Sequence, residues 1–366
     1  MSALKIAIIG LGDMGTGHVK GFSAIEGAEI VAVCDLKLEN IEHIKTLVDD
    51  DKLKGFTDYK NMLAEITIDA VVIAVPGYLH EEILKYCLEK NKHVFLEKPA
   101  AITYESLKRV KEMQKIYNKI VQVGLVYRYS NFYRTMSNQI LEKKILGNVM
   151  MAWCKEFRQC FPQEDWFYDE TKSGGTLVEK DCHHFDLFNW MIDSKPTRVF
   201  AMGGQHVYKK NSEAIIDCSY SKSKPKVIND ISIIDHGFVT IEYENGAKAN
   251  LSLCMYLKPY NLTGEGLEIG FIGDNGKQLV AKNDKQFGVY GGEYADIIEY
   301  KPDAQKDNEG YGHIGCQTQR KEFMECIRDN VQPIATIEET ENSLLVALAA
   351  EKSIKEGRVV EISEFK

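Results

Sequence analysis

Short apolar runs alternate with amphipathic stretches along the first third of the chain. Residues 4–9 are an isoleucine-rich run that predicts a buried strand, and residues 16–22 predict the helix that follows it. The alternation continues to residue 124, which is typical of a doubly wound parallel sheet. The further predicted strands are 30–35, 68–75, 93–96 and 120–124, and the further predicted helices are 39–50, 59–65, 80–90 and 107–118.

Beyond Tyr127 the pattern changes to consecutive apolar runs joined by short turns. Helices are predicted at 131–144 and 175–192, and turn signals such as Asn245-Gly246 separate the runs that come later. Strands that follow one another in this way favour an antiparallel sheet. The predicted strands are 198–202, 238–243, 247–255 and 268–273, and two amphipathic helices are predicted at 318–329 and 337–356.

These patterns predict an α/β protein of two domains. A chain of 366 residues is long enough for two cores. We expect an N-terminal Rossmann domain with a doubly wound parallel sheet over residues 1–125. A C-terminal α+β domain with a mainly antiparallel sheet is expected over residues 126–366, and its last helix is the part that we consider able to pack back on the first domain.

Composition and charge narrow the class of protein. A formal net charge of -9 argues against a general nucleic-acid binder or a protein of anionic membrane surfaces. The nine cysteines are scattered without a C-x-x-C pair, as expected for reduced thiols in the cytoplasm. No signal peptide is expected, because the chain enters a strand at once, and no apolar run reaches transmembrane length.

A G-x-G-x-x-G motif follows the first predicted strand and opens the first predicted helix. Gly10 would permit the tight turn, Gly12 would let the backbone approach a pyrophosphate, and Gly15 would let the helix pack close to the strand. Asp35 ends the second predicted strand, 20 residues after Gly15, where a carboxylate can bind the adenosine ribose. Its charge would repel a 2′-phosphate, so NAD is favoured over NADP, although nearby Lys37 moderates that preference. The competing interpretation is an ordinary glycine-rich turn.

Glu97-Lys98-Pro99 follows a predicted strand of the nucleotide-binding domain. This placement puts an ammonium group at the carboxyl edge of the sheet, where it can stabilise alkoxide character on a substrate oxygen as hydride leaves. Proline after lysine disfavours the helical region and allows a cis bond. The alternative is a solvated surface lysine near a turn.

A second group of chemically active side chains lies near the start of the helix predicted at 175–192. Glu179 and His183 are four residues apart and share a face, so a neutral His183 beside a carboxylate can act as a general base. Three alternatives stay open. Thr176 and Glu179 fit a capping box, His184 paired with Asp181 could replace His183, and a metal site is disfavoured because no dedicated ligand pattern is present.

Three further side chains are candidates with two interpretations each. Arg128 could offer its guanidinium to the substrate or to Glu97, or it could form a structural ion pair between the domains. Trp166 could cover a sugar face or pack in the core. His80 could lie near the nicotinamide, although a single histidine is more often structural.

Taken together, these residues resemble the Gfo/Idh/MocA family, named for glucose-fructose oxidoreductase and inositol dehydrogenase. The resemblance covers nearly the whole chain. The family helix usually carries D-x-x-x-H, and Glu179 stands here in the aspartate position. A usual third glycine is replaced by Ser173. The matching residues are Gly10-Leu-Gly-Asp-Met-Gly15, Asp35, Val75-Pro76, His80, Glu97-Lys98-Pro99, Val123-Gly124, Arg128, Trp166, Gly174-Gly175 and His183.

The resemblance implies an NAD(P)-dependent oxidoreductase that acts on a secondary hydroxyl of a sugar, cyclitol or related polyol. It also implies an open sheet in the second domain that assembles homo-oligomers, as dimers or tetramers, and no metal. The catalytic residues are then Lys98, His183 and Glu179. The cofactor-binding residues are Gly10, Leu11, Gly12, Asp13, Met14, Gly15, Asp35, Val75, His80, Glu97 and Lys98. The substrate-binding residues are Lys98, Arg128, Trp166, Glu179 and His183.

Two other functions use the same residues. In one, NAD stays bound and is recycled within a turnover, so that transient oxidation assists elimination or glycoside cleavage. In the other, the chain is a non-catalytic NAD-sensing regulator. Retention of Lys98 and His183 weighs against the regulator.

Overall fold

In the computed structural model, the contacts within the chain divide it into two units. The structure describes residues 3–48, 52–209, 213–218, 224–258, 266–282, 286–291, 298–300 and 314–365. The first unit comprises residues 1–130 and 305–341, and the second comprises 131–304 and 342–366. This grouping by contacts places a C-terminal segment in the first unit, while the division of the sequence at residue 125 stays a prediction. None of the helices in the described ranges combines the length and the hydropathy that a membrane-spanning segment requires.

The first unit is built on a six-stranded parallel sheet, which confirms the predicted doubly wound fold. The strand order is β3-β2-β1-β4-β5-β6, so the order reverses between β1 and β4, where doubly wound folds bind their ligands. Strand β3 was not predicted from the sequence, because the strand has only three residues and they are mostly exposed. The strands are β1 Leu4–Ile9, β2 Ala28–Cys34, β3 Lys54–Phe56, β4 Ala70–Ile73, β5 His93–Leu96 and β6 Val121–Val123.

Helices cover this sheet and close its core. The side chain of Asp58 accepts the Lys60 N–H at the start of α3, and Thr103 accepts the Ser106 N–H at the start of α5. Phe95 of β5 packs in the core cluster with Phe323 of α10, so this C-terminal helix completes the first unit. The helices are α1 Asp13–Ser23, α2 Leu38–Val48, α3 Tyr59–Glu65, α4 His80–Glu89, α5 Tyr104–Ile116, α10 Cys316–Asp329 and the first turn of α11 Ile337–Glu356.

The second unit contains a nine-stranded sheet in the order β16-β15-β14-β13-β7-β12-β11-β8-β17, beside the hairpin β9–β10. Strand β7 runs parallel to β12 and every other neighbouring pair among the described strands is antiparallel, which confirms the predicted mainly antiparallel sheet. The strands are β7 Val149–Phe157, β8 Pro196–Gly204, β9 Ala214–Ile216, β10 Lys226–Ile228, β11 His236–Tyr243, β12 Lys248–Cys254, β13 Gly266–Gly273, β14 Gln278–Lys282, β15 Gln286–Tyr290, β16 Ile298–Tyr300 and β17 Val360–Glu361.

The single helix predicted at 175–192 is wrong in one respect, because the chain forms two helices there. Helix α8 spans Thr176–Glu179 and α9 spans Cys182–Ile192. Asp181 interrupts them with ψ near zero, and its carboxylate turns to the His184 ring, 3.1 Å away. A short polar side chain that bonds locally competes with helix continuation. The earlier helices of this unit are α6 Asn131–Ser137, continued by a π-helical turn Asn138–Glu142, and α7 Glu170–Ser173.

Candidate active site

The glycine loop between β1 and α1 leaves space where a dinucleotide needs it. Gly10 has a φ of +88°, and a Cβ there would lie 2.5 Å from the carbonyl oxygen of Ala74. A Cβ on Gly15 would collide with the carbonyl oxygen of Gly10, whereas one on Gly12 would meet no heavy atom within 4 Å. Loop and helix are therefore in close contact, and the open side at Gly12 suits a pyrophosphate.

The start of α1 also suits an anion. Gly12 is the N-cap, and no side chain of the described residues caps this end of the helix. Asp13 and Met14 form the exposed first turn, while Leu11 is buried. Free N–H groups and the positive end of the helix dipole attract phosphate oxygens. The residues present therefore fit the diphosphate of NAD.

Asp35 holds the glycine loop from the end of β2. Its Oδ2 accepts the Leu11 N–H at 2.8 Å, and its Oδ1 accepts the Lys37 N–H at 2.8 Å. The carboxylate is thus fixed beside the loop by two backbone groups. Such anchoring gives a ribose hydroxyl a preorganised acceptor.

His80 connects two loops at the carboxyl edge of the sheet. Its Nε2 lies 2.9 Å from the Val75 carbonyl oxygen and its Nδ1 lies 2.8 Å from the Pro99 carbonyl oxygen. Burial lowers the pKa of His80 although both carbonyl oxygens favour the charged ring. The contacts support a structural role that holds the loop after β4 against the cis Lys98–Pro99 bond. Contact of Val75 and His80 with a cofactor stays a prediction.

Glu97 has partners that the sequence did not suggest. Its Oε1 lies 2.7 Å from Nε2 of His18, a residue of α1, and its Oε2 accepts the Lys98 N–H at 3.2 Å. Nδ1 of His18 accepts the Nε–H of Arg320 on α10 at 3.2 Å. The only hint of His18 in the sequence was its place in the first helix, three residues after the last glycine of the loop. Nothing in the local pattern pointed to Arg320.

Arg128 lies in a 3-10 turn after β6 and contacts its own unit. Its Nη1 donates to the Ile334 carbonyl oxygen at 3.1 Å and lies 3.4 Å from Glu339. Both partners belong to the C-terminal part of the first unit. This ion pair is therefore not between the units, and substrate contact by Arg128 stays a prediction.

In the second unit, two glycines open the helices that carry Glu179 and His183. Gly174 and Gly175 have φ of +81° and +99°. The carboxylate of Glu351, on α11, accepts the Leu177 N–H at 3.0 Å, and a Cβ on Gly175 would collide with it. A buried acid from a distant helix thus caps α8.

The alternative of a capping box with Thr176 as its N-cap is wrong. The N-cap is Gly175, and the Thr176 hydroxyl donates to the carbonyl oxygen of Ile234 instead of serving its own helix. The cap comes from Glu351, far along the chain. Glu179 is buried close to the start of α9, and its catalytic role stays a prediction.

The two neighbouring histidines have different surroundings. His184 is fully buried, with Nδ1 at 3.1 Å from Asp181 and Nε2 at 3.5 Å from Glu156 of β7. His183 keeps 8% of its surface exposed. The His184–Asp181 pair is therefore part of a buried cluster, and His183 is the more accessible base.

Charge balance stabilises this cluster. Burial opposes ionisation of Glu156, but Lys180 at 3.3 Å, His184 and Arg158 hold the pKa of Glu156 down at about 2. Burial raises the pKa of Asp181. The cluster around His184 thus contains a fixed carboxylate, Glu156, and two cations, Lys180 and Arg158. Trp166 lies in a 3-10 turn of the same unit and stacks on Phe167 with ring centroids 3.8 Å apart. Groups of three or more metal-ligating side chains were not found in the described parts of the chain.

Because Glu351 is buried, we expect the free energy of unfolding to depend on pH. Burial raises its pKa to about 7 from an ordinary value of 4.5. The unfolded chain therefore loses this proton first, and as the pH rises from about 4.5 to about 7 the free energy of unfolding falls by about 3 kcal/mol. The Glu351→Gln variant keeps the size of the side chain but cannot titrate. Urea unfolding at several pH values should give a curve without this loss.

The control is Glu338→Gln, an exposed position in the first turn of α11. It should leave the pH dependence of wild type in place. If the free energy of unfolding changed equally with pH in wild type and in Glu351→Gln between these pH values, the raised pKa assigned to Glu351 would be contradicted.

Comparisons with known proteins agree with this architecture. Residues 4–125 match the model of an oxidoreductase family described as an NAD-binding Rossmann fold, and residues 138–362 match its C-terminal alpha/beta domain. The myo-inositol 2-dehydrogenase of Thermotoga maritima is 22% identical over 99% of both chains. An inositol 2-dehydrogenase of Rhodococcus jostii is 31% identical over 54% of this chain and 52% of its own.

Among solved structures, the scyllo-inositol dehydrogenase of Lactobacillus casei with bound NAD(H) and scyllo-inositol superimposes with a TM-score of 0.77. It is 20% identical and the match covers 99% of this chain and 100% of the other, which supports the fold. The two family models together cover both units of the chain, and the glycine loop, Lys98 and His183 lie in the matched ranges. The protein therefore belongs to the Gfo/Idh/MocA family of oxidoreductases.

Proposed function

We propose that the protein is an NAD-dependent dehydrogenase that oxidises a secondary hydroxyl of a cyclitol or related polyol. The observation that carries this proposal is the placement of Lys98. It lies two residues after Leu96, the end of β5, at the carboxyl edge of the sheet that bears the glycine loop, where doubly wound folds bind their ligands. The names of the aligned relatives, which are inositol dehydrogenases, support the substrate class.

The proposed mechanism gives each residue one task. NAD, when bound, supplies the hydride acceptor. His183 takes the proton of the substrate hydroxyl as general base, and Glu179 supports its orientation. Lys98 donates a hydrogen bond to a substrate oxygen and stabilises negative charge on it. The loop of Gly10, Gly12 and Gly15 binds the diphosphate.

Asp35 supports NAD over NADP in this proposal. Its carboxylate is held at the loop by Leu11 and Lys37 amides, so it cannot easily turn away from a 2′-phosphate. The negative charge of the Asp35 carboxylate would repel the negative charge of a 2′-phosphate bound beside it. We also propose a cytoplasmic location, which the nine cysteines, all reduced and outside disulfides, support.

The test is NADH production by the purified chain with NAD and a panel of inositol isomers, sugars and sugar alcohols. We expect steady release of NADH with at least one cyclitol and weaker activity with NADP. Product formation without net NADH would favour recycled NAD, and NAD binding without turnover of any polyol would favour a regulator. Either result would contradict the dehydrogenase proposal.

We further propose that copies of the chain associate through the outer face of the nine-stranded sheet. Val239 and Ile241 of β11 are fully buried on the inner face, while Phe238 is 61% exposed on the outer one. Phe238 pairs across the strands with Met202, which is 66% exposed. An exposed apolar patch on a sheet face is typical of an interface.

Charges on the same face suit a second copy of this chain. The Glu242 carboxylate pairs with Arg198 on one side and Lys248, at 2.7 Å, on the other. A face that carries both signs around an apolar patch can complement itself about a two-fold axis. The partner proposed is therefore another copy of the protein.

Introducing a charge at Phe238 should disrupt this assembly. Phe238→Lys combined with Met202→Lys places two like charges in the proposed interface, where they are costly to bury. We expect light scattering to show an oligomer for wild type and the mass of one chain for the variant.

Ile215→Lys is the matched control, since Ile215 is 76% exposed but lies on the separate β9–β10 hairpin. It should keep the wild-type mass. An unchanged mass in the double variant would exclude this face as the interface.

A further inference from the structure

A buried hydrogen-bond network of three ionisable side chains runs through the first unit. It joins Glu97 after β5, His18 on α1 and Arg320 on α10. His18 and Arg320 are fully buried, and Glu97 is 6% exposed. The three residues come from elements that are far apart in sequence, and none of them is assigned a chemical step in the proposed mechanism.

The hydrogen bonds fix the protonation of His18. A guanidinium can only donate, so the Nε–H of Arg320 requires an unprotonated Nδ1 on His18. The proton of the neutral ring is then on Nε2, which donates to Glu97 Oε1 at 2.7 Å. A buried carboxylate and a buried guanidinium are therefore connected through a neutral imidazole. Burial and the charge of Arg320 both lower the pKa of His18, which agrees with the neutral ring.

Glycines make room for both ends of this hydrogen-bond network. A Cβ on Gly21 of α1 would collide with the Arg320 guanidinium, and one on Gly124 would lie 2.7 Å from Glu97 Oε2. Gln317 accepts from Arg320 Nη1 at 3.1 Å and donates to the Gly21 carbonyl oxygen at 2.9 Å. The backbone thus leaves room for the Arg320 guanidinium on α1 and for the Glu97 carboxylate at the residue that follows β6.

At one end, this hydrogen-bond network reaches the proposed catalytic lysine. Glu97 Oε2 accepts the backbone N–H of Lys98, so the orientation of the Glu97 carboxylate bears directly on the Lys98 backbone. We propose that His18 and Arg320 are positioning residues for Lys98, because they hold Glu97 ionised and in one orientation. Since His18 lies on α1, they also tie Lys98 to the helix proposed to bind the dinucleotide. This inference rests on the proposed function.

The charge state of Glu97 depends on four ionisable neighbours. They are His18 of α1, His80 of α4, Lys98 and Arg320 of α10. Burial opposes ionisation of Glu97, but the hydrogen bond from His18 and the charge of Lys98 hold its pKa below the ordinary value. Without His18, burial should dominate and Glu97 should become protonated near neutral pH.

The test compares two substitutions of His18. In His18→Leu, we expect protonation of Glu97, in place of protonation of the base His183, to set the acidic limb of the kcat profile, which should move up by about one pH unit or more. At neutral pH, kcat should fall by on the order of 10²-fold if Lys98 is displaced by about 1 Å. In His18→Gln, the amide can still accept from Arg320 and donate to Glu97, so the limb should stay at its wild-type pH.

A merely structural His18 would give a lower Tm without a moved limb, so the melting temperature is measured for every variant. His93→Leu is the control, because His93 begins the same strand β5 and its Nδ1 accepts the Ile120 N–H at 3.1 Å. It should leave the limb in place. Nitrogen-15 NMR of labelled histidine gives a readout without turnover, and His18 should stay neutral with its proton on Nε2.

The outcomes separate the two proposals. Absence of wild-type turnover on every polyol would contradict the proposed function. Wild-type turnover with an unmoved limb in His18→Leu, or a His18 ring protonated on Nδ1, would overturn the positioning role alone.

Discussion

Lys98→Met is expected to reduce kcat for the oxidation of a polyol by about 10²–10³-fold, or about 2.7–4 kcal/mol of barrier. Methionine keeps most of the length of the unbranched side chain and removes its charge and its hydrogen-bond donors. The negative charge that develops on the substrate oxygen then loses its stabilising partner. Affinity for NAD, measured by quenching of protein fluorescence, should change much less than kcat, because the glycine loop is untouched.

The control for this prediction is Lys85→Met. Lys85 lies on α4 of the same unit, its side chain is 59% exposed, and it pairs at 3.9 Å with Glu89. Exposed pairs of this kind contribute little, so its kcat should equal that of wild type. Wild-type turnover by Lys98→Met would remove the central residue of the mechanism.

Gly15→Ala is expected to destabilise the first unit and to abolish tight NAD binding. The new Cβ would collide with the carbonyl oxygen of Gly10 and lie 2.8 Å from its carbon, and both atoms are backbone. Relief requires α1 to move away from β1, which should cost about 1–3 kcal/mol as in other overpacked sites. The melting temperature should fall by about 2–4 °C for each kcal/mol in a unit of this size.

Gly12→Ala separates binding from stability. Nothing lies within 4 Å of a Cβ at Gly12 and its φ of -67° suits alanine, so the melting temperature should stay at the wild-type value. Affinity for NAD should still fall, because the methyl group occupies the approach to the pyrophosphate. Full NAD affinity in Gly12→Ala would show that the loop does not bind the dinucleotide in this way. An unchanged melting temperature in Gly15→Ala would contradict the close packing of α1 against the loop.

Features encoded locally could be predicted from the sequence. The glycine loop, the first unit's alternating strands and helices and the helix at 337–356 each follow from residues that are close together in the chain. Strand β7 escaped prediction because Lys155 and the buried Glu156 interrupt its apolar pattern. A carboxylate that is buried for the sake of a charge cluster gives no periodic signal.

Contacts between distant segments could not be predicted in the same way. Thr176 and Glu179 satisfied the pattern of a capping box, but the amide at Leu177 is capped by Glu351, 174 residues away. Glu97 pairs with His18 across 79 residues, and His18 with Arg320 across 302. Such partners are selected by the packing of helices on a sheet, and a local pattern contains no information about that packing.

The parallel pairing of β7 has a consequence for how the chain acquires its structure. Strand β7 ends at Phe157, but its two neighbours are β12, which begins at Lys248, and β13, which ends at Gly273. The central strand of the second sheet must therefore wait for segments made much later, and closing a loop of that length slows folding. A nascent chain that stops before β12 exposes both edges of β7, so premature termination there should yield aggregating fragments while the glycine loop is already complete.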